Sequence, residues 1–315
     1  CEKELRSETT FEFVLSGLTS DPHLQSLLFF VFSVIYFITL FGNMLIMIVI
    51  STDSHLHCPM YFFLFHLAFI DICYATTTVP KMLVNFLVKQ KSIGFGACIT
   101  QMSLILLSAG SEIFMLSAMA YDRFVAVCNP LHYQEAMNKL FCNQLVGSAW
   151  AMGFLHSIIN TLPMLNVQFC NYTEIKHFSC ELPPLLSAAC CRTTLNKVVL
   201  LSSAVIFGSS SFLLTLTSYI YIISTVLKIQ SSKGRQKAFS TCSSHLIIVV
   251  LLYTTALFQY TKSSSSSSLI LDQLFSIQYS ILTPMLNPII YSLKNNDMKT
   301  ALGRMLGKIK VSQSL

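Results

Sequence analysis

Long apolar stretches separated by short polar connections dominate the pattern of this chain. A helix needs about 20 apolar residues to cross a hydrocarbon core of about 30 Å. Seven stretches meet or approach this length: Leu24–Ile50, Met60–Val88, Cys98–Val127, Leu140–Met164, Val198–Leu227, Leu246–Tyr260 and Leu269–Leu293. The sixth is short and is expected to extend back through Ala238–Ser240. Because the alternating segments of a membrane β-barrel are missing, the sequence predicts an all-α, seven-transmembrane helix bundle.

These spans divide the chain into three parts. We predict an extracellular N-terminus over residues 1–23, a seven-transmembrane domain over residues 24–293 and a cytoplasmic tail over residues 294–315. In the tail, Lys294–Lys310 alternates apolar residues with cations, which predicts a short amphipathic helix on the inner leaflet. A frayed polar tail is the alternative. The serine run Ser263–Ser268 is typical of a flexible linker.

The composition is that of a membrane protein. Of the 315 residues, 53% are hydrophobic and 11% charged, with a mean hydropathy of +0.63, whereas soluble domains carry about 25% charged residues. The net charge is +6, and the excess Lys and Arg collect on one side of the predicted bundle. Since cytoplasmic loops are rich in these residues, we predict a multi-pass plasma-membrane protein with its N-terminus outside and its C-terminus in the cytoplasm. The charge then faces a membrane surface, and no basic–aromatic array indicates nucleic-acid binding.

Two polar motifs lie at the predicted cytoplasmic ends of spans. Asp122 and Arg123 stand near the end of span three, where a carboxylate and a guanidinium can hold each other at the edge of the hydrocarbon. In span seven, Pro288 removes a backbone hydrogen bond and kinks the helix, with Asn287 and Tyr291 beside it. Such groups can rearrange to present a cation to a cytosolic partner. The pattern therefore indicates a switch rather than a catalyst.

Longer strings surround these motifs. They are Leu56–Leu64, Pro80–Leu83, Met119–Arg123, Lys237–Leu246 and Pro284–Pro288, with Asn43, Asp71 and Trp150 in spans one, two and four. Together they resemble the rhodopsin-like G-protein-coupled receptors and, within them, the olfactory (odorant) receptors of the tetrapod-type class. The likeness extends over residues 11–308. Two departures are Phe124, where the family usually has Tyr, and Cys58, where it usually has Thr.

The resemblance implies a receptor and not an enzyme. A small, largely apolar volatile would bind in the outer half of the bundle and favour a conformation with span six swung outward. A heterotrimeric G protein of the stimulatory olfactory type would then bind at Arg123 and raise cAMP. Tyr219 and Tyr291 would act as the relay.

The connection into span six bears on the resting state. Many rhodopsin-like receptors place an acid there to bridge the arginine of span three, but none lies between Lys228 and Leu246. Arg123 must then rely on Asp122 or on polar groups such as Ser240 and His245. We therefore expect a less tightly locked resting state, unless this basic stretch is only a solvated loop.

The resemblance also implies a ligand pocket between spans three, five, six and seven. Its residues carry no charge, which favours a mostly apolar ligand with one hydrogen-bonding oxygen over an acid or an amine. The spacing of these residues places those of one helix on a common face. Each of them could instead be an ordinary core residue that only packs between helices. The set is Ile105, Leu106, Ala109, Gly110, Ser203, Phe207, Tyr253, Ala256, Leu257, Tyr260, Ile277 and Ser280.

Five cysteines lie on the predicted outer side, where disulfides persist. By resemblance Cys98 pairs with Cys180 and Cys170 pairs with Cys190, which leaves Cys191. The usual N-terminal glycosylation sequon is absent. The convincing outer-face sequon begins at Asn171, in the long second outer loop.

Asp71 and Glu112 are acids inside the predicted membrane, where an unpaired charge is costly. The resemblance suggests a polar cavity shared with Asn287 and with Ser108 or Ser111, which could hold Na⁺ in the resting state. A protonated, hydrogen-bonded acid is the alternative, and the sequence does not decide between them. No other cofactor is expected.

The spacing His177-x-x-Cys180-Glu181 is one proposed in this family for a copper-assisted odorant site. A metal needs a free thiolate, which the expected disulfide removes. A structural role is therefore favoured, and no metal site is predicted with these residues.

Other classes of membrane protein fit less well. A transporter would show repeated halves with broken helices at the midplane, and the chain has no internal repeat. A membrane enzyme would show a span-embedded His-x-x-x-His or Gly-x-Ser-x-Gly motif, and neither is present. A non-olfactory rhodopsin-like receptor is the serious alternative. A screen of volatile odorants against peptides and amines would distinguish it.

Overall fold

The computed structural model describes residues 12–169, 174–190, 192–261 and 268–312, and its main feature is a bundle of long helices. In chain order the helices are α1 (Pro22–Thr52), α2 (Pro59–Leu87), α3 (Phe95–Cys128), α4 (Tyr133–Ala136), α5 (Lys139–Met164), α6 (Leu182–Ser187), α7 (Thr194–Lys228), α8 (Ser232–Thr261), α9 (Ser268–Ile277), α10 (Thr283–Lys294) and α11 (Asn296–Ser312). A π-helical turn, Gln278–Leu282, joins α9 to α10. These three segments together form span seven.

Each predicted span coincides with a helix. Within the described ranges, α1, α2, α3, α5 and α7 are long and apolar enough to cross a membrane, and α8 contains the shorter apolar stretch His245–Thr255. As expected, α8 begins well before that stretch, at Ser232. The short helix α11 follows span seven. The prediction of an all-α, seven-helix bundle with a further helix near the C-terminus is confirmed.

Local chemistry sets where the helices begin. Asp21 accepts a hydrogen bond from the backbone N–H of His23 at 2.9 Å, and Pro22 occupies the first turn of α1. Asn138 accepts from the backbone N–H of Phe141 at 3.0 Å and starts α5. Such caps satisfy backbone donors that have no partner inside the helix, and proline is tolerated there because its missing N–H is not needed.

Helix α3 occupies the centre of the bundle. Most of its length is buried, and it packs against α2, α5 and α7. By contrast, α1 lies at the edge and exposes large apolar rings such as Phe30 (67%) and Phe37 (69%). A helix that exposes such rings while spanning the bundle presents them to lipid rather than to water.

Helices α3 and α5 approach each other at two glycines. A Cβ atom added to Gly153 would lie 2.1 Å from Oγ of Ser111 and 2.7 Å from the carbonyl oxygen of Leu107. A Cβ added to Gly110 would lie 2.9 Å from the Cα of Gly153. Small residues let helix backbones meet in membranes, so these glycines set the close contact between α3 and α5.

A small sheet closes one end of the bundle. It has the order β2–β1–β3, with β1 at Glu12–Leu15, β2 at Ser92–Gly94 and β3 at Glu174–Ile175. Strand β1 pairs antiparallel with β2 and parallel with β3. Its side chains Phe13 and Leu15 are fully buried. The N-terminal segment is therefore packed onto two loops, the one between α2 and α3 and the one between α5 and α7, an arrangement that the sequence did not predict.

Candidate functional site

The predicted switch residues Asp122 and Arg123 lie near the end of α3. Nε of Arg123 is 3.9 Å from Oδ2 of Asp122, and the two side chains are 10% and 1% exposed. Tyr133 of α4 donates a hydrogen bond to Oδ1 of Asp122 at 2.6 Å. Burial and the neighbouring Asp122 charge raise the pKa of Tyr133, which keeps its hydroxyl protonated. Asp122 is thus held by Tyr133 and pairs only loosely with Arg123.

His245 provides the contact between α8 and its neighbours at this end. One ring nitrogen, Nδ1, lies 2.6 Å from the hydroxyl oxygen of Tyr219 on α7. The other, Nε2, lies 3.0 Å from the carbonyl oxygen of Leu116 on α3. The sequence singled out His245 only as a possible partner of Arg123. The side chain of Ser240, the other candidate, lies outside the described residues.

The Asn-Pro-x-x-Tyr motif lies in α10. Nδ2 of Asn287 donates to both carboxylate oxygens of Asp71, at 3.0 and 2.9 Å. A Cβ on Gly42 of α1 would come within 3.1 Å of the ring of Pro288, so this glycine lets α1 pack against the proline. Tyr291 is 3% exposed, and its hydroxyl has no hydrogen-bond partner among the described residues. Asn287 therefore ties span seven to span two, while Tyr291 is left with an unused donor.

The donors around Asp71 can be compared with what Na⁺ requires. Asp71 of α2 and Glu112 of α3 are both buried, on two helices that pack against each other. Oε1 of Glu112 and Oδ1 of Asn287 lack hydrogen-bond partners in the described part of the chain. Hard cations take such oxygen ligands, so these three residues fit the ion. Ser111 is directed elsewhere, because its Oγ faces Gly153 of α5.

The predicted disulfide Cys98–Cys180 is present and joins the start of α3 to the loop between α5 and α7 across 82 residues of sequence. Gln101 adds a second tie, because its Oε1 accepts from the backbone N–H of Cys180 at 2.9 Å. Cys190 is also disulfide-bonded, whereas Cys170, its predicted partner, lies outside the described residues. The same is true of the predicted glycosylation site, Asn171.

The segment His177–Glu181, whose spacing resembles the proposed copper site, is packed inside this loop. His177 and Glu181 are 2% and 3% exposed. Nδ1 of His177 lies 3.1 Å from Oγ of Ser179, and Ser179 donates to Oε1 of Glu181 at 3.0 Å. Ser276 and Tyr279 of span seven also donate to the Glu181 carboxylate. Among the described residues no group of three or more His, Cys, Asp or Glu side chains is arranged to hold a metal ion.

The predicted pocket residues of α7 and α8 make contacts between helices. Ser203 bonds to the side-chain amide of Asn160 on α5 at 3.0 Å. The Tyr253 hydroxyl donates to Oγ of Ser211 on α7 at 3.0 Å. Phe207 packs its ring against Phe114 of α3. The side chains of the predicted members Ala256, Leu257 and Tyr260 lie outside the described residues.

The predicted pocket residues of the other helices are divided between several environments. Leu106 of α3 packs at the edge of the apolar cluster beneath the loop between α5 and α7, and Ile105 is buried. Ile277 packs at the edge of a cluster formed with α1 and α2, and Ser280 donates to the carbonyl oxygen of Ser276. Ala109 is half-buried. Gly110 belongs to the α3–α5 contact, where it faces Gly153 and His156.

Two grooves have linings that include none of these residues. One of about 330 Å³ lies between α8 and span seven and is lined by Leu251, Thr254, Thr255, Phe275, Gln278, Leu282, Thr283 and Leu286. The other, of about 100 Å³, lies between α1, α10 and α11 and is lined by Ile38, Gly42, Leu45, Ile46, Pro288, Ile289, Met298 and Leu302.

Helix α11 is bonded to the connection between α1 and α2. Arg304 contacts Oδ2 of Asp53 through both Nη2, at 2.8 Å, and Nε, at 3.0 Å. The backbone N–H of His55, the His55 ring and Arg304 lower the pKa of Asp53 to about 2. Tyr61 donates to Oδ1 of Asn295 at 3.1 Å. These contacts hold the start of α11 close to α1 and α2.

Comparison with known proteins covers nearly the whole chain. The model of the family described as olfactory receptor matches residues 32–309. The chain is 45% identical over 301 residues to olfactory receptor 1F1 of Homo sapiens, with 96% of each chain covered. It is 46% identical over 297 residues to olfactory receptor 7D4 of Homo sapiens, covering 94% of this chain and 95% of the relative. With olfactory receptor 8U3 of Mus musculus the identity is 42% over 297 residues, covering 94% and 93%.

Proposed function

This chain belongs to the olfactory receptor family, and we propose that a small, largely apolar volatile in the outer half of its bundle activates a stimulatory olfactory-type G protein and raises cAMP. Members of this family are multi-pass G-protein-coupled receptors of olfaction and sensory transduction, not enzymes. The proposal adds the ligand class, the movement that follows binding and the type of G protein.

The observation that carries the proposal is the attachment of α8 by His245. The bonds to Tyr219 and to the Leu116 carbonyl must break if the cytoplasmic end of α8 moves outward. Buried hydrogen bonds contribute about 1 kcal/mol each, so the attachment is weak enough for a ligand to overcome. A ligand achieves this only by binding the outward conformation more tightly than the resting one.

Tyr253 gives the outer half of α8 a means of responding to ligand. Its hydroxyl donates to Ser211 of α7, and its ring lies edge-on to Phe212 at 5.3 Å. A ligand that replaces this hydrogen bond would change how α8 packs against α7, about two helical turns from His245. The same helix thus connects the proposed ligand site to the proposed switch.

Arg123 would be the group presented to the G protein. Its ion pair with Asp122 is long, at 3.9 Å, and Asp122 already accepts a hydrogen bond from Tyr133. Outward movement of α8 would uncover Arg123 without breaking a strong salt bridge. The carboxyl end of a Gα subunit would bind in the space that opens.

Asp71, Glu112 and Asn287 would hold Na⁺ in the resting state. The ion would offset the repulsion between two buried carboxylates that no described cation neutralises. Asn287 would keep its amide on Asp71, which holds α10 against α2. Loss of this arrangement would free the region around Pro288 to change its bend.

The proposed orientation places the N-terminus outside and the C-terminus in the cytoplasm of the plasma membrane. Disulfides persist on the oxidising side of a membrane, and Cys98–Cys180 lies at the same end as the N-terminal strand β1. The inner connections carry the excess Lys and Arg. Both features support this orientation.

The test is cAMP production in cells that co-express the receptor, an olfactory-type Gα subunit and a trafficking chaperone, across a panel of volatile odorants. A response lost in Arg123→Ala at equal surface expression would support the proposal. A response that persists in Arg123→Ala would contradict the role given to this residue. Silence of the wild-type receptor at good surface expression, across a panel of broad chemistry, would contradict the ligand class.

A further inference from the structure

Glu181 is a buried carboxylate that the set of pocket residues chosen from the sequence did not include. It is 3% exposed and follows Cys180, whose disulfide to Cys98 and bond to Gln101 fix the loop over α3. The carboxylate therefore occupies a set position at the outer end of the bundle. Glu181 is not free to turn into solvent.

Its hydrogen-bond donors among the described residues are all neutral. Ser179 of the loop and Ser276 and Tyr279 of span seven donate hydroxyls to the two oxygens. The ion pairs between described residues involve Asp53 and Asp122, and Glu181 takes part in none of them. Burying a charge without a counter-charge is costly, and hydroxyls compensate for only part of that cost.

Residues of span seven and an apolar cluster lie next to Glu181. Ser276 precedes Ile277, and Ser280 donates to the carbonyl oxygen of Ser276, so Glu181 adjoins two residues of the predicted pocket. Phe178 of the same loop packs with Val79 and Met82 of α2 in a buried apolar cluster. A ligand that reaches Glu181 would thus meet one acidic group, the hydroxyls bonded to it and a neighbouring apolar cluster.

We propose that Glu181 is the binding point for the ammonium group of a small alkyl amine, whose apolar chain lies in the outer half of the bundle. The inference rests on the proposed function, since it names the ligand class for the same site. An ammonium group gives a charge-assisted hydrogen bond that a neutral alcohol cannot give. The alcohol would only replace one hydroxyl by another.

Binding of an amine there would also act on span seven. The cation would compete with Ser276 and Tyr279 for the carboxylate, and Tyr279 lies in the π-helical turn Gln278–Leu282. This turn connects directly to α10, which carries Asn287 and Pro288. Release of the two hydroxyls would therefore loosen span seven on the outer side of the kink.

The test uses the purified full-length receptor in lipid nanodiscs. Its thermal unfolding is measured with n-alkylamines from ethylamine to hexylamine and with alcohols of equal chain length, at neutral pH and constant ionic strength set with potassium chloride. We expect amines, and not alcohols, to raise the unfolding temperature. In Glu181→Gln the amine concentration needed should rise about tenfold or more, the ratio that loss of one charge-assisted bond produces.

Glu174→Gln is the matched control, because Glu174 is an exposed acid in strand β3 of the same loop. It should leave amine binding unchanged. If Glu181→Gln does not fold, Tyr279→Phe removes a competing hydroxyl and keeps the acid, so amines should bind at least as tightly as in the wild type. Equal effects of amines and alcohols, no effect of any amine, or weaker amine binding in Tyr279→Phe would overturn the inference.

Failure of this inference and failure of the proposed function give different results. If neutral odorants raise cAMP through Arg123 but no amine stabilises the purified receptor, the amine site is wrong and the receptor function stands. If amines stabilise the receptor through Glu181 but no volatile raises cAMP, the site stands and the coupling is wrong.

Discussion

The imidazole of His245 on α8 is hydrogen-bonded to the hydroxyl of Tyr219 on α7, with 2.6 Å between Nδ1 and the hydroxyl oxygen. Nε2 of the same ring lies 3.0 Å from the carbonyl oxygen of Leu116 on α3. A carbonyl only accepts, so Nε2 donates to it and Nδ1 accepts from Tyr219. One side chain thus holds α8 against two helices without any ionised partner. This attachment takes the place of the acid that is missing from the connection between α7 and α8.

Removal of this attachment should activate the receptor without ligand. His245→Ala leaves the Tyr219 hydroxyl and the Leu116 carbonyl without their buried partner, at a cost of about 1–3 kcal/mol to the resting state. We expect basal cAMP per surface receptor to rise several-fold. Cys242→Ala, at another buried side chain of α8, is the control. Equal basal cAMP in the two variants would show that His245 does not restrain α8.

The contact between α3 and α5 should be intolerant of a single methyl group. In Gly153→Ala the new Cβ would meet Oγ of Ser111 at 2.1 Å and the Leu107 carbonyl at 2.7 Å. Overpacking of this kind costs about 1–3 kcal/mol or more, so the purified receptor should unfold at a lower temperature. Gly147→Ala, on the same helix with nothing within 4 Å of its Cβ, should be neutral or slightly stabilising. A similar loss of stability in both variants would contradict this account of the contact.

The spans were predictable because the information for them is local. A stretch such as Cys98–Val127 must cross hydrocarbon as a helix whatever its neighbours are, and it lies within α3. The bends of span seven were only partly predictable. Pro288 predicts a kink. The π-helical turn at Gln278–Leu282 contains no residue type from which it could have been predicted. Its register depends on contacts such as that between Tyr279 and Glu181.

The polar contacts of the site depend on residues far apart in the chain. Helical spacing assigned Gly110 to a face of α3, but it could not say that this face meets Gly153 of α5. His245 stood in a family string whose spacing gives no partner, and its bonds reach back 26 and 129 residues. Strand β1 needs two loops to pair with. Such features become visible only when the helices are packed.

The disulfide between Cys98 and Cys180 should be required for a folded receptor. It closes a long segment of the chain, and loss of such a bond costs roughly 2–5 kcal/mol. Cys98→Ser should therefore reduce surface expression strongly, and Cys180→Ser should do so to the same extent. The double variant should be no worse than either single one, because both remove one bond. Cys73→Ser, at a free cysteine of α2, controls for the loss of a thiol, and surface labelling is the measurement.

The contact between Arg304 and Asp53 should hold α11 in place across the physiological pH range. The folded protein lowers the pKa of Asp53 from 3.8 to about 2, so its contribution is complete above the ordinary value and is lost as the pH falls through about 2. Amide hydrogen exchange of α11 should then keep the same protection between about pH 5 and pH 8. Arg304→Gln should speed exchange in α11, whereas Lys299→Gln, at an exposed position of the same helix, should not. Loss of protection within that pH range would contradict the assignment to Asp53.

Sodium should stabilise the resting receptor through Asp71. The two acids Asp71 and Glu112 are both buried, and Oε1 of Glu112 and Oδ1 of Asn287 lack hydrogen-bond partners among the described residues. Replacing choline chloride by sodium chloride at equal ionic strength should raise the unfolding temperature of the purified wild-type receptor. Asp71→Asn removes one charge and should abolish the difference between the two salts, even if its own stability is higher because the repulsion is gone. An equal response to both salts in the wild type would leave protonation of one acid as the explanation for this buried pair.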